Sequence, residues 1–217
     1  MHTVYRILEL IVVYAVPTIF AITMHEAAHG YVAKRFGDNT AWILGRVTLN
    51  PIKHIDPVGT IAVPGALLIM NAVVGGGFLF GWAKPVPVNF SRLHDPKRSM
   101  LWVALAGPAA NALQVLIWTV LIQVFAVLEL GLLVDVARAG ISINLMLMIF
   151  NLLPILPLDG GRILTSLLPW RWASSYARLE PYGMAIMLAL IVSGALSTIL
   201  NPLMRFGLQL VQSLIFV

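Results

Sequence analysis

The sequence predicts an all-α polytopic membrane protein with about five to six transmembrane helices and one short membrane-associated β element. Three observations predict it. Of the 217 residues, 59% are apolar and only 11% are charged, against about 45–50% and about 25% in an average soluble domain. The mean hydropathy is +0.90. The apolar residues fall into long uncharged runs, each near the roughly 20 residues that cross a bilayer. A surface facing water on all sides needs far more charge. A soluble globular protein, a disordered chain and a nucleic-acid-binding domain are therefore excluded. Six spans use roughly 120 residues, so residues 1–217 are read as a single integral-membrane domain. The net charge of +5 fits basic loops near anionic headgroups, or loop charge with no specific partner. The absence of cysteine removes disulfides, thiolate zinc sites and cysteine nucleophiles.

Taken in order, Ile7–Met24 is apolar apart from Glu9 and runs without a stop into His25-Glu26-Ala27-Ala28-His29. No small-residue cleavage site follows the apolar stretch, so it reads as a retained membrane helix. It ends near Phe36, where Gly37-Asp38-Asn39 supplies a stop. Pro17 sits inside it, which a membrane helix tolerates. Residues 42–49 hold strand formers around Gly45 and predict a short hairpin. Ile61–Phe80 is a second uncharged run, with an irregular end at Gly75-Gly76-Gly77. In Gly81–Asn89, Pro85 and Pro87 forbid a helix interior and favour extended backbone. Ser99–Leu128 and Ala139–Leu158 are the third and fourth spans, the latter interrupted by Pro154 and Pro157. Tyr182–Met204 is the fifth. Residues 206–217 are too few for a full crossing unless Asn201-Pro202 only kinks a continuing helix. Lysine and arginine, divided eight to six between the two sides, do not set the orientation.

Chemistry concentrates in two places. His25 and His29 are four residues apart, which on a helix puts both imidazoles on one face, and Glu26 adjoins the first. Two histidines at this spacing suit one tetrahedral zinc ion, with the glutamate as general base. A polar patch packed against another helix is the alternative, at the cost of burying three ionisable groups in a membrane helix. Zinc catalysis needs a third protein ligand and an open position. The remaining candidates are Asp38, Asp56, Asp95, Asp135, Asp159, His2, His54 and His94. Asp159 alone lies in an otherwise uncharged membrane stretch, where a carboxylate needs a partner; a helix-ending Asp-Gly turn is the other reading. The prolines and glycines around it predict an unwound helix, acceptable at membrane depth only beside a wet or protein-lined cavity. Asn151 precedes this break. It is placed either to donate to a developing oxyanion or to bridge helices.

The pentad His25–His29, the stretch Asn151-x-x-Pro154-x-x-Pro157-Leu158-Asp159-Gly160-Gly161 and the Gly107-Pro108-Ala109-Ala110-Asn111 element together resemble a site-2 protease, an intramembrane zinc metalloprotease. Leu49–Gly59 and Gly81–Asn89 resemble stretches of the compact bacterial and archaeal branch of that family. The resemblance spans roughly residues 20–165. It implies one Zn²⁺ per chain held by His25, His29 and Asp159, Glu26 as base and Asn151 as transition-state stabiliser. It implies a three-helix catalytic core over about 5–165, with C-terminal helices over about 180–217. It further implies an integral protein of a prokaryotic plasma membrane with its site nearer the cytosolic face. The substrate would be a membrane-embedded peptide or protein, cut in regulated proteolysis or in clearance of signal-peptide remnants. The β element would bind it as an added strand. Many members carry PDZ or CBS domains; these residues hold neither, which leaves substrate choice to the membrane part or a separate partner.

Four further residues are candidate substrate contacts: Asn111, His54, Trp82 and Lys84. Each has a plainer reading. Gly107 and Asn111 form a small-xxx-small face for close helix contact. His54 with Asp56 makes a polar loop, and the tryptophans suit membrane interfaces. The competing functions are a non-catalytic binding or chaperone protein with a retained zinc site, and a metal transporter with the broken fourth helix as its midplane site.

Overall fold

The computed structural model describes residues 2–74 and 81–215. Among these residues the secondary structure is helical, with no strand. Three long helices form the core: α1 (His2–Arg35), α4 (Pro96–Val127) and α5 (Gly131–Asn151). Between α1 and α4 lie α2 (Thr40–Ile43) and α3 (Val63–Val74). After α5 come α6 (Asp159–Leu167), α7 (Trp170–Ala177), α8 (Gly183–Val192) and α9 (Ala195–Ile215). Helices α1, α4 and α5 pack on one another, α6 packs on α4, and α9 on α5. Lipid offers no hydrophobic drive between spans, so small residues that permit close approach set the seams. Ala21 and Ala137 are fully buried there. A Cβ on Gly140 would lie 2.6 Å from the Trp118 ring.

Segments of α1, α4 and α5 are long and apolar enough to cross a membrane. A fourth crossing exists if α7–α8 and α9, bent by 80°, count as one broken span. The expected count of five to six is therefore not reached among the described residues. The second run yields a π-helix over Pro57–Ala62 and α3, which has 12 residues. Helix α3 reaches Val74, and the rest of the Ile61–Phe80 run lies outside the described residues. Pro64 lies in the first turn of α3, and the Asp56 carboxylate caps the π-helix by accepting from the N–H of Val58 (3.0 Å) and Gly59 (2.7 Å). The Gly75-Gly76-Gly77 run lies outside the described residues. Helix α8 ends at Ser193-Gly194, where Gly194 has φ +75. Helix α9 then runs through Pro202 to Ile215. Residues 201–202 thus sit inside a continuing helix.

The hairpin expected at 42–49 is not formed. Asp38, fully buried, accepts hydrogen bonds from Thr40 N–H (3.0 Å) and Thr40 Oγ1–H (2.5 Å). This starts the turn of α2, and Arg46 N–H closes it on Ala41 O (2.9 Å). Local capping outweighs the strand preference of Trp42 and Ile43, which depends on context. Gly37, at φ +107, ends α1 in the left-handed conformation and turns the chain into this corner.

Asp38 also accepts from Asn89 N–H at 2.6 Å, tying residues 81–89 to the end of α1. Burial alone would push this carboxyl up. The hydrogen bonds from Thr40 and Asn89 and the nearby Arg92 charge outweigh it and hold it below 3.8. A carboxyl depressed in the folded state stabilises the fold above its unfolded pKa, and that stability is lost as pH falls through the folded value. Asp38→Asn is therefore expected to lower the Tm at pH 7 and to flatten the loss of Tm below about pH 4. A thermal-melt series from pH 7 to pH 2.5 checks this. Parallel curves for the two proteins would contradict it.

Candidate active site

His25 and His29 are one turn apart on α1, with ring centroids 4.7 Å apart and planes at 81°. Asp159 is the first residue of α6, reached after the chain leaves helical geometry over residues 152–158. Gly160 and Gly161 let that non-helical loop lie directly on α6. A Cβ on Gly160 would meet Leu152 O, and one on Gly161 would lie 2.6 Å from Leu156 N. A carboxylate is also favoured in the first turn of a helix by the dipole.

The three side chains converge. Asp159 Oδ2 lies 3.2 Å from His25 Nε2 and 3.4 Å from His29 Nε2, and the two Nε2 atoms are 3.1 Å apart. A tetrahedral ion with bonds of about 2.0–2.1 Å holds its ligand atoms about 3.3–3.4 Å apart.

The surrounding hydrogen bonds decide which ring nitrogens face this point. His29 Nδ1 lies 2.7 Å from Val103 O, which only accepts, so Nδ1 carries the hydrogen. The His25 assignment follows from a relay across all three core helices. Gly140 O only accepts, so the group that Asn144 turns to it at 2.8 Å is its amide NH₂. Asn144 Oδ1 then accepts from Asn111 Nδ2 at 2.9 Å, and Asn111 Nδ2 also donates to Ala21 O at 3.3 Å. Asn111 Oδ1 is left to accept from His25 Nδ1–H at 2.6 Å. With Nδ1 so engaged on both rings, Nε2 is the nitrogen each histidine has for a metal, opposite a carboxylate oxygen that is buried without a hydrogen-bond partner. Three ligand atoms converging on one point could hold a metal ion. Two neutral imidazoles and one carboxylate suit zinc in particular. Such outer hydrogen bonds fix tautomer and ring orientation in metal sites. Asn111 and Asn144 are both fully buried.

Gly107 completes the pocket wall. A Cβ there would meet His29 Nε2 and would lie 2.5 Å from His25 Cε1. The glycine is needed for room at the ligand atoms.

The triad opens on a cavity of about 680 Å³, also lined by Glu26, Trp82, Val86, Phe150 and Asn151. Glu26 Oε2 accepts from Val86 N–H at 2.7 Å. Asn151 lines the cavity while its Nδ2 donates to Leu147 O at 3.0 Å in its own helix. The other candidates lie elsewhere. Lys84 is exposed and is not among the lining residues; its N–H donates to His54 O at 2.9 Å. His54 is buried, with Nε2 3.0 Å from Thr48 O. Asn111 stands behind His25 and does not line the cavity.

Residues 126–194 match peptidase family M50. Over 210 residues, 94% of this chain and 90% of the relative, the sequence is 37% identical to YwhC of Bacillus subtilis (strain 168), provisionally named a zinc metalloprotease. The chain belongs to peptidase family M50. Rip2 of Mycolicibacterium smegmatis, also provisionally named a zinc metalloprotease, is 31% identical over 82% of this chain and 66% of its own length. The zinc metalloprotease MJ0392 of Methanocaldococcus jannaschii is 25% identical over 82% of this chain and 41% of its own. The chain spans about two thirds or less of these last two relatives. No solved structure gives a significant match. Family membership, relatives named as zinc metalloproteases and three helices long and apolar enough to cross a membrane support a membrane metalloprotease, and the His25, His29 and Asp159 group could hold its metal.

Two features of the site were not found from the sequence. Asn144 is one: a carboxamide in the middle of an uncharged apolar run is expensive unless partnered, and that was the available signal. Val86 N–H, a main-chain donor, is the other. Asn144→Leu removes the acceptor that fixes Asn111 and is expected to lower zinc affinity about 10–100-fold. Competition with a zinc chelator measures this, and an affinity equal to wild type would remove the relay from the metal site.

Proposed function

We propose that the chain is an intramembrane zinc endopeptidase that hydrolyses peptide bonds of membrane-spanning substrates. The observation that carries this reading is the His25–His29–Asp159 triangle of ligand atoms at the wall of a cavity that also holds Glu26. His25, His29 and Asp159 would hold zinc. When bound, zinc supplies Lewis acidity, lowering the pKa of a water toward about 7 and polarising a carbonyl. Glu26 takes the proton of the attacking water and passes it to the leaving amine. Asn151 lines the same cavity and has a second amide hydrogen with which to stabilise the oxyanion. Two neutral imidazoles and the carboxylates of Asp159 and Glu26 bring two negative charges, which balance a divalent ion in a low-dielectric setting.

The names of the relatives as zinc metalloproteases support zinc over other divalent ions. The bacterial and archaeal origin of the relatives supports a prokaryotic plasma membrane, and the family resemblance supports a site nearer the cytosolic face. Substrate choice then falls to the membrane part or to a separate presenting partner. Reconstitution in liposomes with a panel of single-span peptides tests the reading. Cleavage within the spanning segment is expected. Zinc flux without proteolysis would overturn it.

A further inference from the structure

Glu26 is gripped from outside its own helix by main chain. Residues 81–89 carry Pro85-Val86-Pro87, in which prolines lack N–H groups and hold the backbone extended. Val86 therefore supplies the single N–H of that tripeptide, and it donates to Glu26 Oε2 at 2.7 Å. The segment is pinned on both sides of this bond. Lys84 N–H donates to His54 O at 2.9 Å, and Asn89 N–H to Asp38 Oδ2 at 2.6 Å. The buried Arg46 donates through Nη2 to Lys84 O (2.8 Å) and Pro85 O (3.3 Å). Helix α1 makes room for it. Gly30 is four residues after Glu26 and so shares its face. A Cβ there would lie 3.0 Å from Val86 Cγ1 and 2.7 Å from Val47 Cγ2.

From this geometry we infer that the Val86 amide is a positioning group for the general base, with Arg46 as the brace that holds it in place. The inference rests on the peptidase reading above. The bond fixes one carboxylate oxygen of Glu26 and leaves the other to take the proton from water. A base with three rotatable side-chain bonds is thereby held in one orientation, and orientation of a catalytic group carries large factors in rate.

Val86→Pro removes the N–H and keeps an extended backbone; Val86→Ala keeps the N–H. In zinc-loaded full-length protein acting on single-span membrane peptides, the kcat of V86P should fall about 10–100-fold below that of V86A. Zinc per chain should stay equal and KM should change little, because Glu26 is not a ligand. Equal kcat in the two variants overturns the proposal. A V86P kcat above wild type also overturns it, and would make the segment a block on the base. Hydrogen exchange of the Val86 amide gives a readout that needs neither V86P folding nor catalysis: protection in the wild type should be lost in Glu26→Ala. Equal exchange in both again overturns the proposal. A wild type that cleaves no peptide overturns the peptidase reading and this inference together, whereas cleavage that V86P retains overturns this inference alone.

Discussion

Replacing Glu26 with Gln is expected to remove hydrolysis while leaving the metal in place. Glutamine matches glutamate in size, and its carbonyl oxygen still accepts from Val86 N–H, so the 2.7 Å contact to residues 81–89 survives. Proton acceptance is lost, since an amide has no basic oxygen near neutral pH. General-base catalysis is typically worth about 10²–10⁴-fold, and cleavage should fall by that order. Zinc per chain should match wild type, because the three converging ligand atoms belong to His25, His29 and Asp159. Purified protein, assayed for metal content and for cleavage of single-span peptides, gives both numbers. Full activity in the variant would take the base role from Glu26.

Asp159→Ala acts one step earlier, on the metal itself. Asp159 Oδ2 is buried without a hydrogen-bond partner and faces the Nε2 atoms of two imidazoles. Its removal leaves two neutral ligands and no local negative charge among them. Loss of an outer hydrogen-bonding partner costs about 10–100-fold in metal affinity, and loss of a ligand should exceed about 100-fold. Zinc should be stripped from the variant by a chelator that leaves wild type loaded, and cleavage should vanish with it. Unchanged zinc affinity would remove Asp159 from the ligand set.

The contrast between these two residues shows what was legible in the sequence. His25 and His29 are readable because helical spacing alone puts them on one face. Asp159 was reachable by elimination, as a carboxylate in an uncharged stretch beside helix-breaking prolines and glycines. The three core helices were readable from their apolar length. The relay from Gly140 through Asn144 and Asn111 to His25 depends on the relative register of α1, α4 and α5, which no local pattern encodes. The contact between Val86 and Glu26 joins main chain to side chain across 60 positions, so residue types alone do not announce it. Trp42-Ile43-Leu44 misled because strand preference was weighed without the Asp38 cap. The described part of the Ile61–Phe80 run holds the end of a π-helix and then α3, and residues 75–80 lie outside the described residues.

The central claim is that one metal ion at the His25–His29–Asp159 site is required for peptide-bond hydrolysis. The most direct measurement strips the purified wild type with a chelator, returns zinc in steps and follows cleavage of a single-span membrane peptide against bound metal. The account predicts no cleavage in the stripped protein, and activity that rises in proportion to bound zinc and levels off at about one ion per chain. Cleavage that persists in fully stripped protein, or a loaded site that supports none across the peptide panel, would contradict it.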